Sequence, residues 1–179
     1  LYQGLAIEVT RTDFAVTNRL LFTESSAYQC VVELAREGVR LAGELVRRHL
    51  QDHGGYPTGL VVNLWGSATM RTAGEDFAMA LHLAGLEPLW DPASERVTGF
   101  EITPLALMDR PRTGVTLRVS GLFRDTFPEL VTLFQQGCDA LAARDESADM
   151  NPYVAAAPGS HVFAPAPGRF GTGITDDMT

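Results

Sequence analysis

The sequence predicts an α/β fold with a mostly parallel sheet, because short apolar runs alternate along the chain with longer segments of helical periodicity. The clearest example is the apolar run at 60–64, which is followed by a Gly/Ser-containing loop before the apolar spacing becomes helical. A strand, a polar loop and a helix in this order are typical of open α/β sheets, whose ligands bind at the carboxyl ends of the strands. The stretch 149–179 is rich in Pro and Gly and has no sustained period, which indicates an irregular tail.

The elements follow one another in a simple order. Apolar residues at helical spacing predict one long amphipathic helix from residue 28 to the pair Gly54-Gly55, which ends it. Strands are expected at 58–64, 86–90, 97–102 and 115–119. Further helical segments are expected at 73–84, ended by Gly85, in a turn from Pro104, and along the apolar face from Leu130 to Leu141.

We expect one α/β domain, 28–148, between an N-terminal segment of uncertain structure, 1–27, and the Pro/Gly-rich extended tail, 149–179. The N-terminal segment contains LAIEVT, which fits a strand, and DFAVTNRLLF, which fits a strand or a helix. The 179 residues, 45% of them hydrophobic, suffice for one ordinary core. The expected architecture is therefore Rossmann-like, with helices flanking the sheet.

Composition excludes several classes of function. The net charge of −8 and the lack of a basic stripe argue against a nucleic-acid partner. All 14 cationic residues are arginine, so no lysine is present for a Schiff base or a Walker A loop. No apolar run approaches the length of a membrane-spanning helix. Cys30 and Cys138 each lie beside an apolar helical run, which favours buried thiols in a reducing cytoplasm.

Polar residues follow two of the predicted strands. If those strands are parallel neighbours, their loops border one crevice. The residues expected to meet there are Asn63, Trp65, Ser67, Arg71 and Glu75 from the first loop, and Ser120, Arg124 and Asp125 from the second.

Each of these residues also has a purely structural interpretation. Thr72 and Glu75 have the spacing of a capping box, as do Thr126 and Glu129, with Pro128 in the first helical turn. Asp125 is a favourable residue at a helix start, and the two arginines can pair with the carboxylates and lock the loops together. Trp65 fits the edge of the core, and the two serines fit loops better than nucleophilic sites, because no GxSxG elbow occurs.

No metal site is predicted. His49 and His53 have the i, i+4 spacing that can hold a metal, but HLQDH lacks the glutamate of a zincin motif. Their position in the last helical turn favours solvated histidines.

Five short motifs carry a more specific signal. In order and spacing they closely resemble the C-terminal part of the CobN-type cobaltochelatase large subunit, and less closely the large subunit of magnesium chelatase. The resemblance covers about residues 36–173. The motifs are Leu64-Trp65-Gly66, Ala73-Gly74-Glu75, Asp109-Arg110-Pro111, Ser120-Gly121-Leu122-Phe123-Arg124-Asp125-Thr126-Phe127 and Met150-Asn151-Pro152.

The resemblance implies a subunit of an ATP-dependent ligase that inserts cobalt(II), its metal substrate, into hydrogenobyrinic acid a,c-diamide during aerobic cobalamin synthesis. The large subunit of that family holds the tetrapyrrole, and separate AAA+ subunits hydrolyse ATP. Metal insertion needs a base for the pyrrolic protons, so Glu75 and Asp125 are the candidate catalytic carboxylates. Arg71 and Arg124 are the candidate clamps for substrate carboxylates. Asn63, Trp65, Ser67 and Ser120 complete the expected substrate-binding set.

Two alternatives stay open. Family members are far larger than this chain, and their upstream segments implicated in tetrapyrrole and metal handling have no counterpart here, so we do not expect catalysis by the chain alone. The chain can instead be a non-catalytic docking domain of the same subunit that presents Arg36, Arg40 and Arg47 to the AAA+ motor. A third option is an independent α/β module for another small ligand, because fold alone does not fix function.

Overall fold

The computed structural model describes residues 24–90, 97–157, 159 and 161–169, with side chains from Arg36 onward except at Trp90. The predictions for LAIEVT and DFAVTNRLLF fall outside this part of the chain. The described helices are α1 (Glu24–His53), α2 (Gly66–Thr72), α3 (Glu75–Ala84), α4 (Gly121–Thr126) and α5 (Pro128–Ala142). The strands are β1 (Gly59–Leu64), β2 (Leu86–Trp90), β3 (Val97–Ile102), β4 (Gly114–Val119) and β5 (Val162–Phe163). Short 3₁₀ turns occur at Leu105–Leu107 and Pro152–Ala155.

The central sheet is parallel, as predicted. Its order is β1-β4-β5, and the register pairs Gly59 with Gly114 and Leu64 with Val119. The prediction of an irregular tail missed β5, whose two residues pair with Leu117 and Arg118. β2 and β3 match the expected strands but pair antiparallel in a separate hairpin.

The core lies on one face of this sheet. Val115, Leu117 and Val119 of β4 are fully buried, whereas the alternate residues point to the opposite face, as the pleat of a strand requires. α3 packs against β1 and β4, and α1 packs on α3. The core cluster also takes in the buried side chains of α5, including Phe134, Leu141 and the free thiol of Cys138. Cys138 is buried, which confirms this predicted buried thiol, and its burial raises the pKa of the thiol to about 12.

The glycine stops of two helices are confirmed. Gly54 follows α1 with φ 71° and Gly85 follows α3 with φ 81°, a left-handed conformation that glycine adopts without a Cβ penalty. At Gly85 the space is also closed, because an added Cβ would lie 2.2 Å from a guanidinium nitrogen of Arg112.

Both predicted capping boxes are wrong. Residues 66–72 form α2, so Thr72 ends one helix instead of preceding the next, and its hydroxyl is buried without a hydrogen-bond partner in the described residues. The N-cap of α3 is Gly74, which makes no side-chain hydrogen bond. The N-cap of α5 is Phe127, because Thr126 still belongs to α4. The expected place of Pro128 in the first turn of α5 is confirmed.

Candidate functional site

The carboxyl ends of β1 and β4 bring the two predicted loops together. The parallel register places Leu64 beside Val119, so α2 and α4 begin from neighbouring strand ends. The two helices pack closely, since a Cβ at Gly66 would lie 2.7 Å from Cγ of Leu122. The predicted adjacency of the loops is therefore confirmed.

Ser120 joins the two loops. Its buried Oγ accepts hydrogen bonds from the backbone N–H of Phe123 and from that of Gly66, both at 3.2 Å. The first bond caps α4 and the second crosses to the start of α2. The sequence predicted this hydroxyl as a substrate contact, whereas in the structure its oxygen accepts hydrogen bonds from two backbone N–H groups.

The first loop presents exposed side chains. Trp65 is 48% exposed and makes no side-chain cap at the start of α2. Ser67 and Arg71 are also exposed, and within the described residues Arg71 forms no ion pair. Asn63 is exposed on β1, on the sheet face away from the core. These four side chains are exposed, Asn63 and Trp65 at the end of β1 and Ser67 and Arg71 on α2.

Glu75 lies against α1. Gly38 of α1 packs so closely that an added Cβ would lie 2.8 Å from the backbone oxygen of Glu75. Burial raises the pKa of the Glu75 carboxyl to about 6, with smaller contributions from the negative charges of Glu37 and Asp76. The charges that act on this carboxyl therefore come from α1 and α3, and the structure does not pair it with Arg71 or Arg124.

Arg124 and Asp125 form an ion pair within α4. Nε of Arg124 donates to Oδ1 of Asp125 at 2.7 Å, and Nη2 donates to Oδ2 at 2.9 Å. The hydrogen bond from Arg124 lowers the pKa of the Asp125 carboxyl, which makes that carboxylate a weaker base than Glu75. Nη1 of Arg124 donates to the backbone oxygen of Pro165, so this arginine fastens the tail to α4.

Sequence reasoning missed a groove on the open face of the sheet. It has a volume of about 510 Å³. Polar and apolar residues alternate along β4, and this pattern by itself predicts a strand against the core and does not indicate a ligand site. The lining residues come from β1, β4, β5 and the tail after β5: Val61, Thr116, Arg118, Phe163, Ala164, Pro165, Ala166 and Arg169.

The Asp109-Arg110-Pro111 motif has a structural role at the end of α3. The buried Arg110 guanidinium donates to the backbone oxygen of His82 at 2.8 Å and to that of Leu83 at 3.0 Å. Cations at a helix C-terminus satisfy otherwise unpaired carbonyls and oppose the helix dipole.

A buried ion pair joins Glu146 to Arg112, the residue that follows this motif in sequence. Nε and Nη2 of Arg112 donate to the Glu146 carboxylate at 2.8 and 3.0 Å, and Nη2 also donates to the backbone oxygen of Thr103. Asn151 donates to the same carboxylate at 2.9 Å and to the backbone oxygen of Leu141 at 2.8 Å. The Met150-Asn151-Pro152 motif therefore helps to hold the tail against α5.

Metal ligands are not clustered in the described ranges 24–90, 97–157 and 161–169, where no group of three suitable side chains is present. His49 and His53 contact each other at a ring-centroid distance of 4.4 Å, and Nδ1 of His49 lies 3.0 Å from the backbone oxygen of Gly55. None of the described helices is long and apolar enough to cross a membrane.

The fold and the site define a small α/β domain with a parallel central sheet, in which two neighbouring strands lead into short helices that carry arginine and carboxylate side chains. Residues 34–178 match the family model described as CobN/Magnesium Chelatase. The chain belongs to this family.

Relatives and a solved structure agree with this assignment. The chain is 40% identical over 184 residues to the aerobic cobaltochelatase subunit CobN of Pseudomonas aeruginosa, covering 92% of this chain and 15% of that protein. It is 32% identical over 158 residues to a magnesium-chelatase subunit of Chlorobaculum parvum, covering 80% of this chain and 12% of that protein. The structure of the catalytic subunit of cobaltochelatase from Mycobacterium tuberculosis matches with a TM-score of 0.72 and 38% identity, covering 77% of this chain and 13% of that chain. The chain thus spans about one seventh of the length of these proteins or less.

Proposed function

We propose that the chain is part of the large, tetrapyrrole-binding subunit of an ATP-dependent cobaltochelatase, which inserts Co(II) into hydrogenobyrinic acid a,c-diamide in aerobic cobalamin biosynthesis. The observation that carries the proposal is the identity of 40% to the Pseudomonas aeruginosa protein named as a cobaltochelatase subunit, against 32% for the magnesium-chelatase relative. Cobalt is the substrate metal in this proposal. ATP is hydrolysed by separate AAA+ subunits, in keeping with a chain that has no lysine for a Walker A loop.

The proposed chemistry assigns the two carboxylates unequal roles. Insertion of the metal displaces pyrrolic protons, which a nearby base must accept. With a pKa of about 6, Glu75 is largely ionised at neutral pH and is the better matched acceptor. Asp125, held by Arg124, supports the loop instead. The exposed side chains of Trp65 and Arg71 are the proposed contacts for the ring and its carboxylates.

A chimeric large subunit tests this proposal. Residues 34–178 of the chain replace the matching segment of the Pseudomonas aeruginosa subunit, and Co(II) insertion is followed by the absorbance of the ring, with the AAA+ subunits and ATP present. The matched control carries the corresponding segment of the Chlorobaculum parvum magnesium-chelatase relative. The proposal expects insertion by the first chimera and little or none by the control. A folded first chimera that binds the ring but inserts no Co(II) would contradict the proposal.

A second candidate is that α1 contacts the AAA+ motor. Its exposed surface carries Arg36 and Arg47, whereas Arg40 is already paired with Glu37 and Glu44. Charge reversal at Arg36 and Arg47 in the complete subunit should therefore weaken co-purification with the motor subunits. Unchanged co-purification would exclude this docking surface.

A further inference from the structure

The open face of the parallel sheet is an unusual surface. Parallel sheets normally have both faces covered, yet Val61 on β1 is 59% exposed and Phe163 on β5 is 57% exposed. Both side chains line the groove of about 510 Å³. The floor of the groove is apolar at these two edges, with Thr116 and Arg118 of the central strand β4 between them. Exposed apolar side chains that line a concave surface are typical of a binding site.

The groove has two cationic side chains in its lining. Arg118 of β4 and Arg169 of the tail both line it, and none of its described lining residues is acidic. This contrasts with the chain as a whole, whose net charge is −8. Guanidinium groups beside an apolar floor favour a ligand that combines a flat apolar body with carboxylates, because the planar guanidinium pairs with a carboxylate through two parallel hydrogen bonds.

The tail wall that carries Arg169 is held in place. Arg124 donates to the backbone oxygen of Pro165, and the backbone N–H of Arg169 donates to the oxygen of Ala166 at 3.1 Å. Gly168, with φ 82°, makes the turn that brings Arg169 to the groove. The groove is therefore built by hydrogen bonds and turn chemistry, which reduces the entropy lost when a ligand binds.

We infer that this groove binds the tetrapyrrole, with the apolar ring over Val61 and Phe163 and the ring carboxylates paired with Arg118 and Arg169. The inference rests on the proposed function, because that function supplies a flat ring bearing free carboxylates. It places the ring on the sheet face opposite to the one that α3 and α1 cover, so the groove is a binding site distinct from the strand-end position at which Glu75 would accept the pyrrolic protons. Asn63, which is exposed on the same face of β1, lies between the two regions.

The test is a titration of the 179-residue chain with hydrogenobyrinic acid a,c-diamide, followed by the absorbance of the ring. Arg118→Gln and Arg169→Gln should each raise Kd by about fivefold. The double variant should raise Kd by more than either single variant, with about 25-fold as the value for full additivity. Val61→Glu should also weaken binding, since it places a negative charge on an exposed position of the floor. The matched control, Arg48→Gln, removes an exposed charge from α1 and should leave Kd unchanged.

Two further measurements distinguish the loss of an arginine–carboxylate contact from a loss of folding. Circular dichroism and the urea midpoint establish that each variant is folded, and Arg169 is exposed, so its replacement should leave both unchanged. The ring with its carboxylates esterified should bind the wild type and the double variant equally, because the arginines then have no anionic partner.

The outcomes separate the inference from the proposed function. Binding by the wild type with an unchanged Kd in the double variant would overturn the groove and leave the proposed function intact. An equal loss in Arg48→Gln would indicate non-specific attraction and would also overturn the groove. If the wild-type chain does not bind the ring, the inference fails, and the chimera assay then decides the proposed function independently.

Discussion

Replacing Glu146 by glutamine tests the buried ion pair between Arg112 and the segment that follows α5. The Arg112 side chain is 0% exposed and that of Glu146 is 9% exposed, so the pair is shielded from water. Glu146→Gln keeps the shape of the side chain but removes the charge that compensates the guanidinium. Removing one partner of a buried pair costs about 3 kcal/mol of unfolding free energy, because the other charge stays buried. The matching fall in Tm is roughly 6–12 °C for a chain of this size.

Urea unfolding monitored by circular dichroism measures this loss. The control is Glu129→Gln on the exposed surface of α5, which should change the free energy of unfolding by less than about 0.5 kcal/mol. A double-mutant cycle with Arg112→Met gives a further check. The double variant should be more stable than Glu146→Gln alone, because it leaves no unpaired charge buried.

The difference in unfolding free energy between the wild type and Glu146→Gln should depend on pH. The hydrogen bond from Arg112 lowers the pKa of the Glu146 carboxyl below its ordinary value of 4.5. The stability that this carboxylate contributes is therefore fully present above pH 4.5 and is lost as the pH falls through the lowered pKa of the folded state. A loss no larger than that of Glu129→Gln, or one that persists after Glu146 is protonated, would refute the reasoning.

Three further predictions follow from the same structure. Gly85→Ala should lower the free energy of unfolding in urea by about 2 kcal/mol or more, because the backbone is left-handed and the new Cβ would meet the Arg112 side chain. Gly54→Ala has the same backbone strain but no atom near the new Cβ, and should cost about 1 kcal/mol. Ser120→Ala should cost about 2 kcal/mol through two lost hydrogen bonds, whereas the exposed Ser67→Ala should be neutral by the same measurement. Glu75→Gln should be more stable than the wild type at pH 8 by about 1 kcal/mol and equal to it at pH 4, because the raised pKa of the folded state makes wild-type stability fall as pH rises from 4.5 through about 6. A wild-type advantage at pH 8 would contradict that assignment.

The strands and the helix stops could be predicted from the sequence because local patterns determine them. β2 and β3 have the expected bounds, since each is a short run closed by turn residues. Gly85 was predictable for the same reason, because the end of a helical period and a glycine coincide there.

The remaining features depend on contacts between distant residues. α2 forms where a loop was expected, because Gly66 packs against α4 and Ser120 receives its N–H. β5 has only two residues and depends on the open edge of β4. A buried arginine cannot be recognised from its neighbours in sequence, since the Arg112 partner lies 34 residues further along the chain.

The candidate site was predictable in part for a similar reason. Parallel pairing of β1 and β4 brought the two loops together as expected. The burial of the Glu75 carboxyl and the groove lined by two arginines could not be predicted, because both depend on how helices and tail pack on the sheet.

The rate of Co(II) insertion by the chimeric large subunit that carries residues 34–178 tests the central claim most directly. With the AAA+ subunits, ATP and hydrogenobyrinic acid a,c-diamide present, a cobaltochelatase segment should sustain insertion within about tenfold of the parent rate, the factor that corresponds to roughly 1.4 kcal/mol in the barrier. A folded chimera that assembles with its partners and binds the ring, yet inserts no Co(II) above the magnesium-chelatase control, would contradict the claim.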